Sequence, residues 1–102
     1  MTLQDVLVVR VYLAERGGQL EALLDLLHDE AQIRGWTVYR GVSGYGSSGR
    51  VRSARLVDLA LDLPVTVEFF DAPARVEAVL ERVVALAGAG HVVSWPARMA
   101  LA

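Results

Sequence analysis

Pro64-Val65-Thr66-Val67-Glu68-Phe69-Phe70-Asp71-Ala72-Pro73 sets a strand and a helix start end to end. Val65 to Phe70 is rich in β-branched and aromatic residues, which suit a pleated, half-buried strand, and proline is tolerated at a strand's first position. Asp71-Ala72-Pro73 then supplies an acceptor side chain and a preset φ, which is the chemistry of a helix start. Downstream, Val76, Val79, Leu80, Val83, Val84 and Ala87 recur at helical spacing until Gly88-Ala89-Gly90 ends the run. His91-Val92-Val93-Ser94-Trp95 reads as a last strand, closed by Pro96.

The same grammar stands upstream. Val6 to Leu13 is an apolar, β-branched strand with one interruption, broken by Glu15-Arg16-Gly17-Gly18. Leu20, Leu23, Leu24, Leu27 and Ala31 then predict an amphipathic helix from Gln19 to Arg34, with Gly35 as its stop. Trp36 to Val42 reads as a second strand. Residues 54 to 61 read two ways: Leu56, Leu59, Ala60 and Leu63 fit a helix, and Arg55-Leu56-Val57-Asp58 fits the extended arm that we favour. Two right-handed βαβ crossovers with a split predict an α+β ferredoxin-like βαββαβ sandwich. Its four-stranded antiparallel sheet carries two helices on one face, and a long flexible loop, residues 43–55, joins strands 2 and 3. The whole chain, 1–102, is expected to form one domain.

Composition limits what such a domain can do. Hydrophobic residues make up 54% of the chain, more than a domain of this size has interior for, so an apolar sheet face or edge should be left for copies of the chain to cover. Apolar segments are interrupted by charges within about ten residues, short of the ~20 that a membrane span needs, so no membrane insertion is expected. No charged leader followed by an apolar stretch opens the chain, which points to the cytoplasm. The sequence has no cysteine, no lysine and no asparagine. Thiolate, Schiff-base and Walker-lysine chemistries are thereby excluded, along with zinc-thiolate sites. With His28 and His91 as the only histidines, a three-histidine metal site cannot form within one subunit. A net charge of −2 argues against nonspecific nucleic-acid binding.

Charge is nonetheless uneven. Arg40 to Arg55 holds four glycines, four serines and four arginines without an acidic residue. Glycines expose backbone N–H groups as an anion nest, and arginines add bidentate donors for phosphate or carboxylate. Arg50, Arg52 and Arg55 are therefore candidate contacts for a small anionic ligand, and Arg98 is a candidate to reach a neighbouring subunit's cleft. Tyr12, Tyr39, Trp36 and Trp95 are expected in core or subunit contacts, His91 in a structural role and His28 packed or half-exposed. Glu68, within an apolar strand, calls for an arginine partner.

Arg40-Gly41-Val42-Ser43-Gly44-Tyr45-Gly46 followed by Asp62-Leu63-Pro64-Val65-Thr66-Val67-Glu68 resembles the PII signalling superfamily, above all its uncharacterised small bacterial PII-like branch. There Arg-Gly-x-x-Gly-(Phe/Tyr)-Gly and Asp-Leu-Pro-Val-x-Val-Glu recur. The resemblance implies a homotrimer with sheets facing inward, an adenine nucleotide in the intersubunit clefts, and a loop (the T-loop) that docks on a target transporter or enzyme through residues 43–55. It places Gly41, Gly44, Tyr45 and Gly46 at the ligand and implies a regulatory protein without catalytic residues, metal or required cofactor. Two departures stand out: Ser47-Ser48 follow the turn where classical relatives have Arg-Gln, and Gly88-Ala89-Gly90-His91 replaces their Gly-Asp-Gly-Lys. The alternatives are an acylphosphatase-like hydrolase, which lacks its asparagine here, and a metal-binding trimer related to copper-tolerance proteins.

Overall fold

The computed structural model describes residues 1–45 and 63–102 together with the backbone of 51–53. Strand β1 (Leu3–Ala14) leads to helix α1 (Gln19–Asp25), which continues as a π-helical turn, Leu26–Glu30. Strand β2 (Trp36–Arg40) is followed by two short strands, β3 (Ser43–Tyr45) and β4 (Val51–Ser53). Strand β5 (Pro64–Asp71), helix α2 (Pro73–Ala87) and strand β6 (Val92–Ala100) complete the order. The main sheet is antiparallel in the order β2-β5-β1-β6, the arrangement that two split βαβ units require. The extended arm expected at residues 54–61 lies outside the described residues.

One face of this sheet is packed. Val9, Val11 and Leu13 of β1 and Val65, Val67 and Phe69 of β5 alternate inward with the period of a strand. Against them lie Leu23 and Leu27 from the first helical segment and Val76, Val79, Val83 and Ala87 from α2. The spacing thus named the buried face of α2, apart from Val84, which is exposed. Fully burying an aliphatic side chain of this kind is worth about 1.5–3 kcal/mol.

Three details depart from the reading of the sequence. The first helix was expected to run to Arg34 but stops at Glu30, because its last turn widens. Ala31 N–H donates to the Leu26 carbonyl at 2.9 Å and Ile33 N–H to the Leu27 carbonyl at 2.9 Å. Gln32 then takes a positive φ of 50°, so the chain turns before Gly35 is reached. Strand β6 does not stop at Pro96 but pairs with β1 from Val92↔Val11 to Ala100↔Leu3. It is an edge strand, where proline is admissible. Finally, the connection expected as one long loop carries a hairpin, in which Ser43, Gly44 and Tyr45 pair with Ser53, Arg52 and Val51.

Asp71, at the end of β5, is the buried polar residue among those described. Its Oδ1 accepts from Ala72 N–H at 2.7 Å and its Oδ2 from Arg34 N–H at 3.0 Å. It therefore fixes the approach to β2 as well as the entry to α2, whose N-cap, Ala72, has no side-chain acceptor of its own. No helix among the described residues is long and apolar enough to cross a membrane.

Candidate functional site

The ends of β1, β2 and β5 meet the hairpin at one pole of the sheet. β5 starts at Pro64, opposite Ala14 on β1, while Arg40 on β2 lies opposite Val65. Gly41 N–H donates to the Pro64 carbonyl at 2.8 Å, which ties the hairpin's root to β5. A Cβ on Gly41 would fall 2.9 Å from Pro64 Cγ, and one on Gly44 would fall 3.0 Å from the same atom. The two motifs of the sequence are therefore halves of one contact. The glycines of one allow its backbone to lie on the proline ring of the other.

This junction walls a cavity of about 540 Å³. Tyr12 and Leu13 come from β1, Tyr39 and Arg40 from β2, Thr66 from β5, Gln19 from α1 and His91 from the turn before β6. Gly41, Ser43, Gly44 and Tyr45 close it from the hairpin side. The volume lies within the range of small-molecule sites, and the lining mixes apolar walls with a few polar groups. Gln19 is oriented by its own bond, Nε2 donating to the Leu86 carbonyl at 3.2 Å. His91 is held by β1: its Nδ1 donates to the Tyr12 carbonyl at 3.1 Å, and its own carbonyl accepts Tyr12 N–H at 2.9 Å.

Arg40 brings positive charge to the cavity wall, and its Nη2 is paired with Glu15 Oε1. Glu15 is anchored through its backbone, N–H donating to the Leu63 carbonyl at 3.0 Å. Its other carboxylate oxygen, Oε2, is buried without a hydrogen-bond partner among the described residues.

Of the residues named from the sequence, Gly41, Gly44 and Tyr45 meet at this cavity, and Tyr45 is largely exposed. Arg52 pairs through its backbone with Gly44. Gly46, Arg50 and Arg55 lie outside the described residues. Arg98 sits opposite Asp5, toward the far end of β1 from the cavity, so the fold of one subunit does not bring it to Gly41. Reading the sequence missed Glu15, Gln19 and Thr66 as parts of one place, and of the two settings it offered Tyr12 and Tyr39, core or subunit contact, the core is not theirs. Both tyrosines line the cavity and are about half exposed, 43% and 51%.

The second feature is the sheet face turned away from the helices. Val6, Val8, Arg10 and Tyr12 share it with Phe70 and Glu68 of β5 and with Val93, Trp95, Ala97 and Met99 of β6. No described helix covers it. At its centre Arg10 Nε donates to Glu68 Oε1 at 2.7 Å, the partner that Glu68 called for, and the guanidinium stacks 5.3 Å from the Trp95 ring. The hydrogen bond to Glu68 first, and then that to Tyr12, holds the Arg10 pKa above its ordinary high value, so the charge persists at any physiological pH.

Sheet order, helix placement and a hairpin rising from the second strand define the fold of the PII-like proteins. CPII, a nitrogen regulatory PII-like protein from Thiomonas intermedia K12 bound to ADP, AMP and bicarbonate, superposes with a TM-score of 0.72 at 22% identity, over 96% of this chain and 89% of that one. CutA from Xylella fastidiosa has a TM-score of 0.63 at 14% identity, over 97% of this chain and 88% of that one. In sequence the chain belongs to the DUF190 family, uncharacterized ACR, COG1993, whose model matches residues 6–99. The UPF0166 protein of Aquifex aeolicus (strain VF5) is 35% identical over 54 residues, 53% of this chain. That match spans about half of the relative's length, 51%.

Proposed function

We propose that this chain is a trimeric, non-enzymatic PII-like regulator of the cytoplasm that binds a small anionic ligand, an adenine nucleotide, at the root of its hairpin. The observation that carries the reading is the cavity itself. It opens where the Gly41–Tyr45 segment leaves the sheet and is walled by Arg40, Gln19, His91 and three tyrosines. A guanidinium suits phosphate, and tyrosine rings suit a base. The structurally similar CPII is bound to ADP, AMP and bicarbonate, which supports the same class of ligand here.

The trimer buries the open sheet face, and it lets Arg98 of one subunit approach a neighbour's cleft. Gly46, Arg50, Arg52 and Arg55 complete the ligand's surroundings, and residues 43–55 present a surface to a target transporter or enzyme that changes with occupancy. The experiment is a thermal-shift screen of ATP, ADP, AMP, cyclic nucleotides and bicarbonate. A ligand present at 100 times its Kd stabilises by about 2.7 kcal/mol, a shift of several degrees for a chain of this size. Replacing Arg50, Arg52 and Arg55 together by alanine should remove the shift without dissociating the trimer. Absence of any shift in the wild-type chain, or rapid hydrolysis of ATP or an acyl phosphate, contradicts the proposal.

A further inference from the structure

Glu15, just past the end of β1, and Arg40, the last residue of β2, flank the start of β5, which lies between those two strands in the sheet. Their pair is asymmetric. The Arg40 side chain is 63% exposed and lines the cavity, whereas that of Glu15 is 23% exposed and keeps one oxygen, Oε2, buried without a partner among the described residues. The bond engages one guanidinium nitrogen, Nη2, and one carboxylate oxygen, Oε1. A phosphate offers the same guanidinium two acceptors in bidentate register. An ion pair with this exposure is weak enough for such an exchange. We infer that Glu15 is an internal competitor for Arg40: it occupies the guanidinium when the cavity is empty and yields it to the anionic group of a ligand. The inference rests on the anion-binding reading of the cavity.

Two features make the exchange consequential. Arg40 directly precedes Gly41, whose N–H fixes the hairpin root to Pro64, so re-aiming Arg40 acts at the base of the segment proposed to signal. Glu15 is the residue after β1 and is tied by its N–H to Leu63, so it stays in place when Arg40 leaves. Its carboxylate then loses the partner of Oε1 while Oε2 already has none among the described residues. That loss opposes ligand binding and holds affinity down, a cost the site would not carry if Glu15 were only a strut.

Calorimetric titration of ADP and of inorganic phosphate into the wild-type chain, Glu15→Gln, Glu15→Asp and Arg40→Ala tests this. Glu15→Gln removes the competing charge, and Glu15→Asp retracts it by one methylene. Both should bind phosphate and ADP about two- to fivefold more tightly, the worth of an exposed ion pair, and Arg40→Ala should lose most of the binding. The wild-type chain gives a second readout that needs no variant: the Glu15 carboxylate carbon resonance should move on saturation with phosphate. Glu15 variants that bind no more tightly than wild type, or an unmoved resonance at saturation, overturn the competitor role while leaving the cavity reading intact. Failure of ADP and phosphate to bind any of the chains overturns both.

Discussion

Pro64 and the two glycines that face it show how a sequence motif becomes a constraint. An alanine Cβ at position 41 or 44 would sit at 2.9 or 3.0 Å from the proline ring, closer than side chains pack, so the ring or the hairpin must move. We expect Gly41→Ala and Gly44→Ala each to destabilise by about 1–3 kcal/mol in urea unfolding. The same Gly41→Ala change in a Pro64→Ala background should cost less, because the ring carbon nearest the new Cβ, Cγ, is gone. Additive losses would show that the contact is not the cause. The motifs were legible as a pair in the sequence, but their contact was not, since strands β2 and β5 must first be placed side by side. The Glu15–Arg40 pair was hidden for the same reason. It joins residues 25 apart that only strand order brings together. Glu68 was easier to read, because a carboxylate alternating within an apolar strand requires a cation whichever strand lies beside it.

The strands and α2 were legible because strict alternation and a clear apolar stripe leave little choice of register. The end of the first helix was not. Leu20 to Ala31 keeps helical spacing past the point where the turn widens, and periodicity records the buried face rather than the hydrogen-bond pattern. Tertiary contacts hold the widened end in place: Arg75 Nη2 donates to the Gln32 carbonyl at 2.9 Å, and Arg82 pairs with Glu30 at 3.0 Å. Gln32 carries the left-handed φ that a glycine would take freely. Because Arg75 binds the backbone, Gln32→Gly keeps that bond while relieving the strain. We expect it to raise stability by about 0.5–1 kcal/mol in thermal or urea unfolding. A loss would mean that the Gln32 side chain contributes more than its backbone strain costs. β6 exceeded its expected length because Pro96 stops a central strand but not an edge, and edge position is a property of the sheet.

At the scale of the molecule, the two faces of the sheet answer the excess of apolar residues. One is filled by the helices, and the other presents Val8, Phe70, Trp95, Ala97 and Met99 around the Arg10–Glu68 pair. Composition predicted that such a face would exist; register had to be known to name its members. In the trimer proposed above, two further copies cover this face and Arg98 of one subunit approaches a neighbour's cavity. Assembly and ligand binding are thus one claim. Native mass spectrometry of the chain with ADP at micromolar concentration tests it most directly. The account predicts a trimer carrying up to three ADP molecules, reduced to unliganded trimer in Arg40→Ala. A monomer, or a trimer that acquires no ADP at saturating concentration, would contradict it.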